Sequence, residues 1–553
     1  MFYNLRRTIE ALNKTERFLL VAAICVLILS LFFFGILTFY KKTVIAPVEG
    51  GRFTEGIVGQ PQFINPLIAQ NKQDEDIIEL TFSDLLDLAD KYVSSDDGKV
   101  WDINLKPELK WSDNEPLNSD DVVFTIEAIQ DPESRSSYSE LWRGVIIERI
   151  SEREIRFTLK TPYVFFADNL KDLKIVPRHI FSGIPMSNLN LSSYNLEPVS
   201  SGPYIFKQLQ KRKDGFITRI QLEANPNYPG DKPLISEFNF DFFASYPDAG
   251  AAFNKKEIDG LGSLDNNDLK EIMIGNQLFE LNTARYYAIF FNQTLNPALK
   301  ETAVREALNY ATDKNRIISS VFDGRATPVS GPLLPEISGY DASVYANDIF
   351  SFANATSTLD DAKWKLNKDG IWEKVISRNN ILKTEFEIIV PDIKFLVDAV
   401  NVVKEDWQKI GVKLDSIVMP VNDVKEEVIK PRNYQMIIWG NDLTRNNPDI
   451  FAFWHSAAKF YPGENLALYE NKKVDGLLES VRKDLDEETR NKALSDLQTI
   501  IEGDQPAIFL FSPHYFYVTT KDLGGLDTKF ITTPSMRFEN VNKWYLKTAR
   551  VFK

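Results

Sequence analysis

Residues 105–129 read LKPELKWSDNEPLNSDDVVFTIEAI, and with the residues just before them they spell out three successive elements. Trp101, Ile103 and Leu105 alternate as on a strand with one buried face, and Pro107, Ser112, Asp113, Asn114 and Pro116 then supply turn chemistry. Asn118 or Ser119 can accept a hydrogen bond from the free amides of a first helical turn, where Asp120 and Asp121 meet the positive end of the helix dipole. Val122, Ile126 and Ile129 share a helical face, and Pro132 stops the run. Strand, turn and helix in such close succession predict an α/β chain.

The same punctuation recurs towards the C-terminus. Pro297 fits a first helical position, Val304, Leu308 and Ala311 share a face, Asp313 can cap a second helix and Gly324 can close its exit turn. Arg305 on that first helix reads as one half of an ion pair. Phe386, Ile388 and Val390 then alternate on a strand, Val400, Val403, Trp407 and Ile410 line one helix face, Gly411 stops that helix, and Val412 to Val418 is again strand-like. This is a βαβ unit, whose strands should run parallel with a right-handed crossover. A helix near residues 423–429 and a strand over residues 434–439 should follow. Ligands of open α/β sheets sit beyond the carboxyl ends of the strands, so Trp439, Gly440, Asn441 and Asp442 are candidate binding residues. Asp442 also suits a turn or cap, and Asp449 suits the cap of a helix bearing Phe451 and Trp454.

Phe18 to Tyr40 is an uncharged run of 23 residues. At about 1.5 Å per residue it is long enough for a hydrocarbon core of roughly 30 Å. Arg6, Arg7, Lys14 and Arg17 precede it and Lys41 and Lys42 follow, which favours a cytoplasmic N-terminus and an external body. A cleaved signal peptide is the alternative, but the apolar run is long for one and no small-x-small site follows Tyr40. Cys25 is the only cysteine and sits in a poor lipobox context, so the body has no disulfide and must stand on its core. About 510 residues remain to build that core in two or three lobes. Tyr286, Tyr287, Phe290 and Phe291 are expected inside it. The net charge of −14, spread without a long basic run, excludes a nucleic-acid partner. His179, His455 and His514 lack metal-ligand spacing, Ser201 lacks a nucleophile elbow, and no phosphate-binding fingerprint is present. The acidic pairs Asp120–Asp121, Asp360–Asp361 and Glu487–Glu488 fit helix starts.

Residues 105–122 resemble a pattern of the extracytoplasmic solute-binding proteins of family 5, the dipeptide and oligopeptide binders of ABC importers, with Asn114 in place of the usual glycine. GQPQFINPL at 59–67, SGPY at 201–204, ANPNY at 224–228 and the segment from Phe291 to Pro328 resemble further landmarks in the family's order. The resemblance implies a two-lobed periplasmic-binding-protein-like fold of type II with an extra subdomain, preceded here by one transmembrane helix. Its division would be a cytoplasmic tail over 1–17, an anchor over 18–40, a linker over 41–50 and a binding domain over 51–553. Lobe I would span about 51–285 and 520–553, with the subdomain near 76–195, and lobe II about 286–519. The resemblance also implies that Asp442 meets the ammonium of a bound peptide, with Trp439, Gly440 and Asn441 beside it. A non-enzymatic, cofactor-free monomer is expected, delivering an extended peptide to an ABC permease from the outer side of the cell membrane. Another solute on the same fold, such as a nickel chelate, haem or an oligosaccharide, is the alternative, followed by an anchored cell-wall hydrolase or a sensor.

Overall fold

The computed structural model describes residues 13–378, 380–444, 447–520 and 522–552. The strand Val100–Leu105 buries Trp101, Ile103 and Leu105 as the alternation requires. In the following turn Asn114 takes φ 71°, a left-handed conformation that asparagine tolerates, so it can stand where glycine is usual. The helix Ser119–Gln130 opens on a reciprocal cap: the Asn118 side chain accepts the Asp120 amide at 2.8 Å, and Asp121 accepts the Asn118 amide at 2.9 Å.

Two large sheets organise the body. The first has eight strands in the order Phe530–Ile531, Asn276–Thr283, Tyr515–Thr520, Gly260–Leu264, Arg52–Val58, Glu237–Phe243, Ile217–Ala224 and Tyr204–Lys211. The second has six, in the order Ala326–Pro328, Ala507–Pro513, Arg285–Phe291, Met436–Asp442, Glu385–Pro391 and Lys413–Met419. Both faces of the six-stranded sheet are covered: Ile289, Ile388 and Ile438 enter one apolar cluster, and Tyr286, Ala288 and Ile437 enter another. A separate four-stranded sheet, from Ala89–Ser94 to Glu154–Thr158, lies in the span expected for the extra subdomain.

The βαβ unit forms as its periodicity directs. Glu385–Pro391 and Lys413–Met419 pair in parallel over seven residues, and the helix Lys394–Lys409 between them buries Val400, Val403 and Trp407. Gly411 leaves that helix at φ 78°, where an added Cβ would stand 2.5 Å from the Gly370 carbonyl oxygen. The next strand is Met436–Asp442, so Trp439 to Asp442 lie within the strand rather than beyond it. The pairing of Arg285 to Phe291 with its whole length holds it extended to Asp442.

The chain crosses between the sheets at Ala284 and again at His514. The second crossing corrects the expected boundary, because Tyr515–Thr520 belongs to the first sheet. Side chains lash the two crossings together: Thr283 Oγ1 donates to the Pro513 carbonyl at 2.8 Å, and Ser512 Oγ donates to the Thr283 carbonyl at 3.1 Å.

Three other expectations need revision. The segment read as a linker contains the strand Thr43–Val48, paired antiparallel with Lys547–Phe552 and continuous with the long exposed helix Lys14–Lys42. Arg305 is buried and, among the described residues, makes no ion pair of the expected kind. Its guanidinium donates to the carbonyls of Leu299, Asp504 and Gln505 at 2.6–3.1 Å, which satisfies the C-terminal end of the helix Glu487–Asp504. Asp360 and Asp361 close the helix Phe352–Asp361 instead of opening one, and Lys365 pairs with Asp360 at 2.6 Å.

The first lobe is keyed by a buried charge cluster. Arg537 donates to both oxygens of Asp76, at 2.7 and 2.8 Å, and to Glu55 at 2.9 Å, while the Tyr517 hydroxyl donates to Glu55 at 2.7 Å. These four groups come from a helix, two strands and the short 3-10 helix Pro534–Phe538. Two carboxylates share one guanidinium, and burial pushes the Glu55 carboxyl up to about 7 against the pull of Arg537. A Cβ on Gly260 would collide with Glu55 and the Tyr517 hydroxyl, so the cluster requires glycine there.

Candidate functional site

Met436–Asp442 has unequal edges. One edge is paired with Arg285–Phe291 through seven residues, ending at Arg285 opposite Asp442. On the other edge the parallel ladder to Glu385–Pro391 consists of Ile388 with Met436 and Ile389 with Ile437. The strand therefore runs on past its parallel neighbour, and from Trp439 to Asp442 one line of backbone amides and carbonyls has no ladder partner among the described residues. Such an edge can accept an extended chain by main-chain hydrogen bonding.

At its end Asp442 and Arg285 form a two-pronged ion pair, and both side chains stay about half exposed, at 57 % and 45 %. The hydrogen bond and charge of Asp442 hold the Arg285 guanidinium above its usual range against the opposing effect of burial. Glu464 lies near enough that its carboxyl is raised first by burial and then by the charge of Asp442. Leu443, next in the chain, donates its amide to the Ala284 carbonyl at 2.6 Å, so Asp442 is fixed beside the interlobe crossing.

The other three candidates divide between the two sheet faces, as strand alternation demands. Gly440 shares a face with Asp442, and an added Cβ there would press on the Tyr287 ring at 2.9 Å. Asn441 is buried on the opposite face, where its amide donates to the Tyr286 hydroxyl at 2.9 Å. Trp439 is half-buried on that same face against the cluster containing Tyr286 and Ile437. The side chain of Asn441 is thus engaged in the core, while its backbone lies on the open edge.

Asp449, seven residues beyond Asp442, is engaged quite differently. One carboxylate oxygen accepts the Phe451 amide at 3.2 Å, close to the expected cap. The other accepts the Tyr163 hydroxyl at 3.0 Å and the Arg482 guanidinium at 2.9 Å. Tyr163 belongs to the first lobe and Arg482 to the second, and Val164 donates its amide to the Arg482 carbonyl at 3.0 Å. Arg482 also lies 4.3 Å from the centre of the Phe451 ring. Burial, followed by the charge of Asp449, raises the Tyr163 phenol well above its ordinary range, so it remains a donor. This interlobe bridge escaped the sequence reading, because nothing local in the segment around Tyr163 points to residues 449 and 482.

Comparison with known proteins agrees with this architecture. The middle-region profile of the bacterial extracellular solute-binding proteins, family 5, matches residues 86–461. The oligopeptide-binding protein AppA of Bacillus subtilis is 27 % identical over 529 residues, covering 92 % of this chain and 93 % of AppA. The AppA structure, solved in complex with a nonapeptide, superposes with a TM-score of 0.68 at 25 % identity, covering 91 % of this chain and all of that one. NikZ of Campylobacter jejuni, solved with Ni(L-His), gives 0.68 at 26 % identity over 89 % of this chain and 99 % of its own. The chain belongs to the bacterial extracellular solute-binding proteins of family 5.

Proposed function

We propose that this protein is the membrane-anchored substrate-binding component of a peptide ABC importer, which encloses an extended peptide between its lobes and passes it to a permease. The observation that carries the reading is the open edge at Trp439–Asp442, ending in an exposed carboxylate beside the interlobe crossing. A peptide laid along this edge pairs its backbone with the main chain of Gly440 and Asn441 and brings its ammonium to Asp442, while Trp439 contributes apolar surface near the site. The ammonium joins Arg285 in sharing the carboxylate, with Glu464 adding negative potential. Recognition through the backbone leaves side-chain identity open, and water can fill the space around varied side chains. The similarity to AppA over almost the whole chain supports peptide over other solutes.

The helix Lys14–Lys42 supports retention at the membrane, with the body outside and residues 1–17 in the cytoplasm. N-terminal sequencing of the membrane-bound form should find the helix still attached. A mature N-terminus beyond Tyr40 contradicts the anchor.

The test of function is mass spectrometry of solute co-purified with the full chain in detergent, followed by calorimetry with that solute. Peptides bound near 1:1 support the proposal. A nickel chelate, as in NikZ, or an oligosaccharide would overturn the peptide assignment and leave the binding role intact. Hydrolysis of the peptide would point to the enzyme reading instead.

A further inference from the structure

The long apolar helix does not release the chain into a free tether. Thr43 follows Lys42 directly, and its hydroxyl donates to the Phe39 carbonyl at 2.6 Å, so the strand Thr43–Val48 grows straight out of the last helical turn. The strand Lys547–Phe552 runs antiparallel to it through six pairs, from Val48 with Lys547 down to Thr43 with Phe552. The body's final strand thus descends towards the helix. The Phe552 ring packs edge-on against Phe39 with centroids 6.0 Å apart, and the Arg550 guanidinium lies 4.1 Å from the centre of the Tyr40 ring. Phe39 is three residues before the helix end, or about 4.5 Å below it at the helical rise per residue. Phe552 nevertheless remains 71 % exposed, as does much of Ile45 and Val44 on the partner strand.

We infer that the ribbon of Thr43–Val48 and Lys547–Phe552 is a second membrane contact, which seats Phe552 at the headgroup and acyl boundary of an anionic bilayer. The inference rests on the anchored reading of the helix. If Phe39 lies at the outer edge of the hydrocarbon, its neighbour Phe552 lies there too, and an aromatic ring is favoured at that depth. Lys41 and Lys42 stand at the helix end of the ribbon and Arg550 in its nearer half, where lipid phosphates complement them. The body, although acidic overall, meets the membrane through a basic collar. Two attachments about one ribbon fix the orientation of the first lobe over the bilayer, whereas a single flexible linker would let it swing.

The test uses the full chain in vesicles of phosphatidylcholine and phosphatidylglycerol, with an environment-sensitive fluorophore on one cysteine at a time and doxyl-labelled lipid as quencher. Cys25 itself reports the anchor. In a Cys25→Ser background, Phe552→Cys reports the ribbon and Lys213→Cys, on an exposed hairpin turn, reports the body. For a side chain seated roughly 5–10 Å into the interface, shallow doxyl lipid should remove about half of the emission at 552. It should leave position 213 unchanged. Adding Arg550→Gln should reduce the quenching at 552 in anionic vesicles more than in vesicles of phosphatidylcholine alone. Deep quenching at Cys25 with none at 552 would overturn the second contact and leave the anchor standing. Absence of quenching at Cys25 would remove the anchor and the inference built on it.

Discussion

Each lobe holds an arginine paired with carboxylate, and the two are treated in opposite ways. Arg537 is sealed with Glu55 and Asp76 in the first lobe, at about 2 % exposure or less for the arginine and for Glu55. Arg285 pairs with Asp442 at the edge of the second, where each keeps about half of its surface in water. A buried pair commits its charges to the fold, since removing one partner strands the other in a medium that cannot solvate it. An exposed pair contributes little to stability, and its carboxylate can be shared with an arriving ligand at small cost. The difference separates the charges that build this protein from the charge that the proposed function would use.

The sharpest way to break the comparison is at its buried side. Arg537→Met should destabilise the protein by about 3–5 kcal/mol, because Asp76 and Glu55 lose their common partner. Thermal unfolding measures this, and Arg285→Met should lower the transition far less. Next in size is the bridge between the lobes. Arg482→Met leaves Asp449 without its guanidinium in a largely buried position, at a cost of about 1.5–3 kcal/mol. Small-angle scattering should then show a more open, ligand-free form. Tyr163→Phe removes one hydrogen bond to the same carboxylate and should cost about 1 kcal/mol, with a smaller expansion.

The smallest effect concerns pH. Burial raises the Glu55 carboxyl from 4.5 to about 7, so in this interval the folded state binds more protons than the unfolded one. The stabilisation linked to that proton is complete below about 4.5 and is lost as pH rises through about 7. Glu55→Gln cannot titrate and should flatten the dependence of unfolding free energy on pH over this window. Asp84, raised to about 7 by burial beside Lys174 and Glu79, should leave a residual slope of the same sign.

The contrast also accounts for what could be read in the sequence. Local grammar was legible: the alternation at Trp101, Ile103 and Leu105, the cap at Asn118, the βαβ unit around Trp407 and the core position of Tyr286 all depend on neighbours in the chain. The buried charge cluster was invisible, since Arg537 lies 482 residues from Glu55 and 461 from Asp76. The second crossing is marked in the sequence by Ser512, Pro513 and His514 between two apolar runs, but such a break reads equally as a turn within one sheet, and only the pairing shows that the chain changes sheets there. The strand Thr43–Val48 looked like a linker because its partner begins at Lys547. At the candidate site, the residue string pointed to the end of the strand Met436–Asp442. Strand alternation, which sends Asn441 into the core and Asp442 to the surface, required the register.

The central claim is that the exposed carboxylate of Asp442 receives the ammonium of a bound peptide. A calorimetric double-mutant cycle tests it, comparing native protein with Asp442→Asn against a co-purified peptide and its N-acetylated form. The substitution should weaken binding of the free peptide by about 1.5–3 kcal/mol, or roughly one to two decades in affinity, and barely affect the acetylated one. Equal changes for both peptides would contradict the account and return Asp442 to the role of a strand-end ion pair with Arg285.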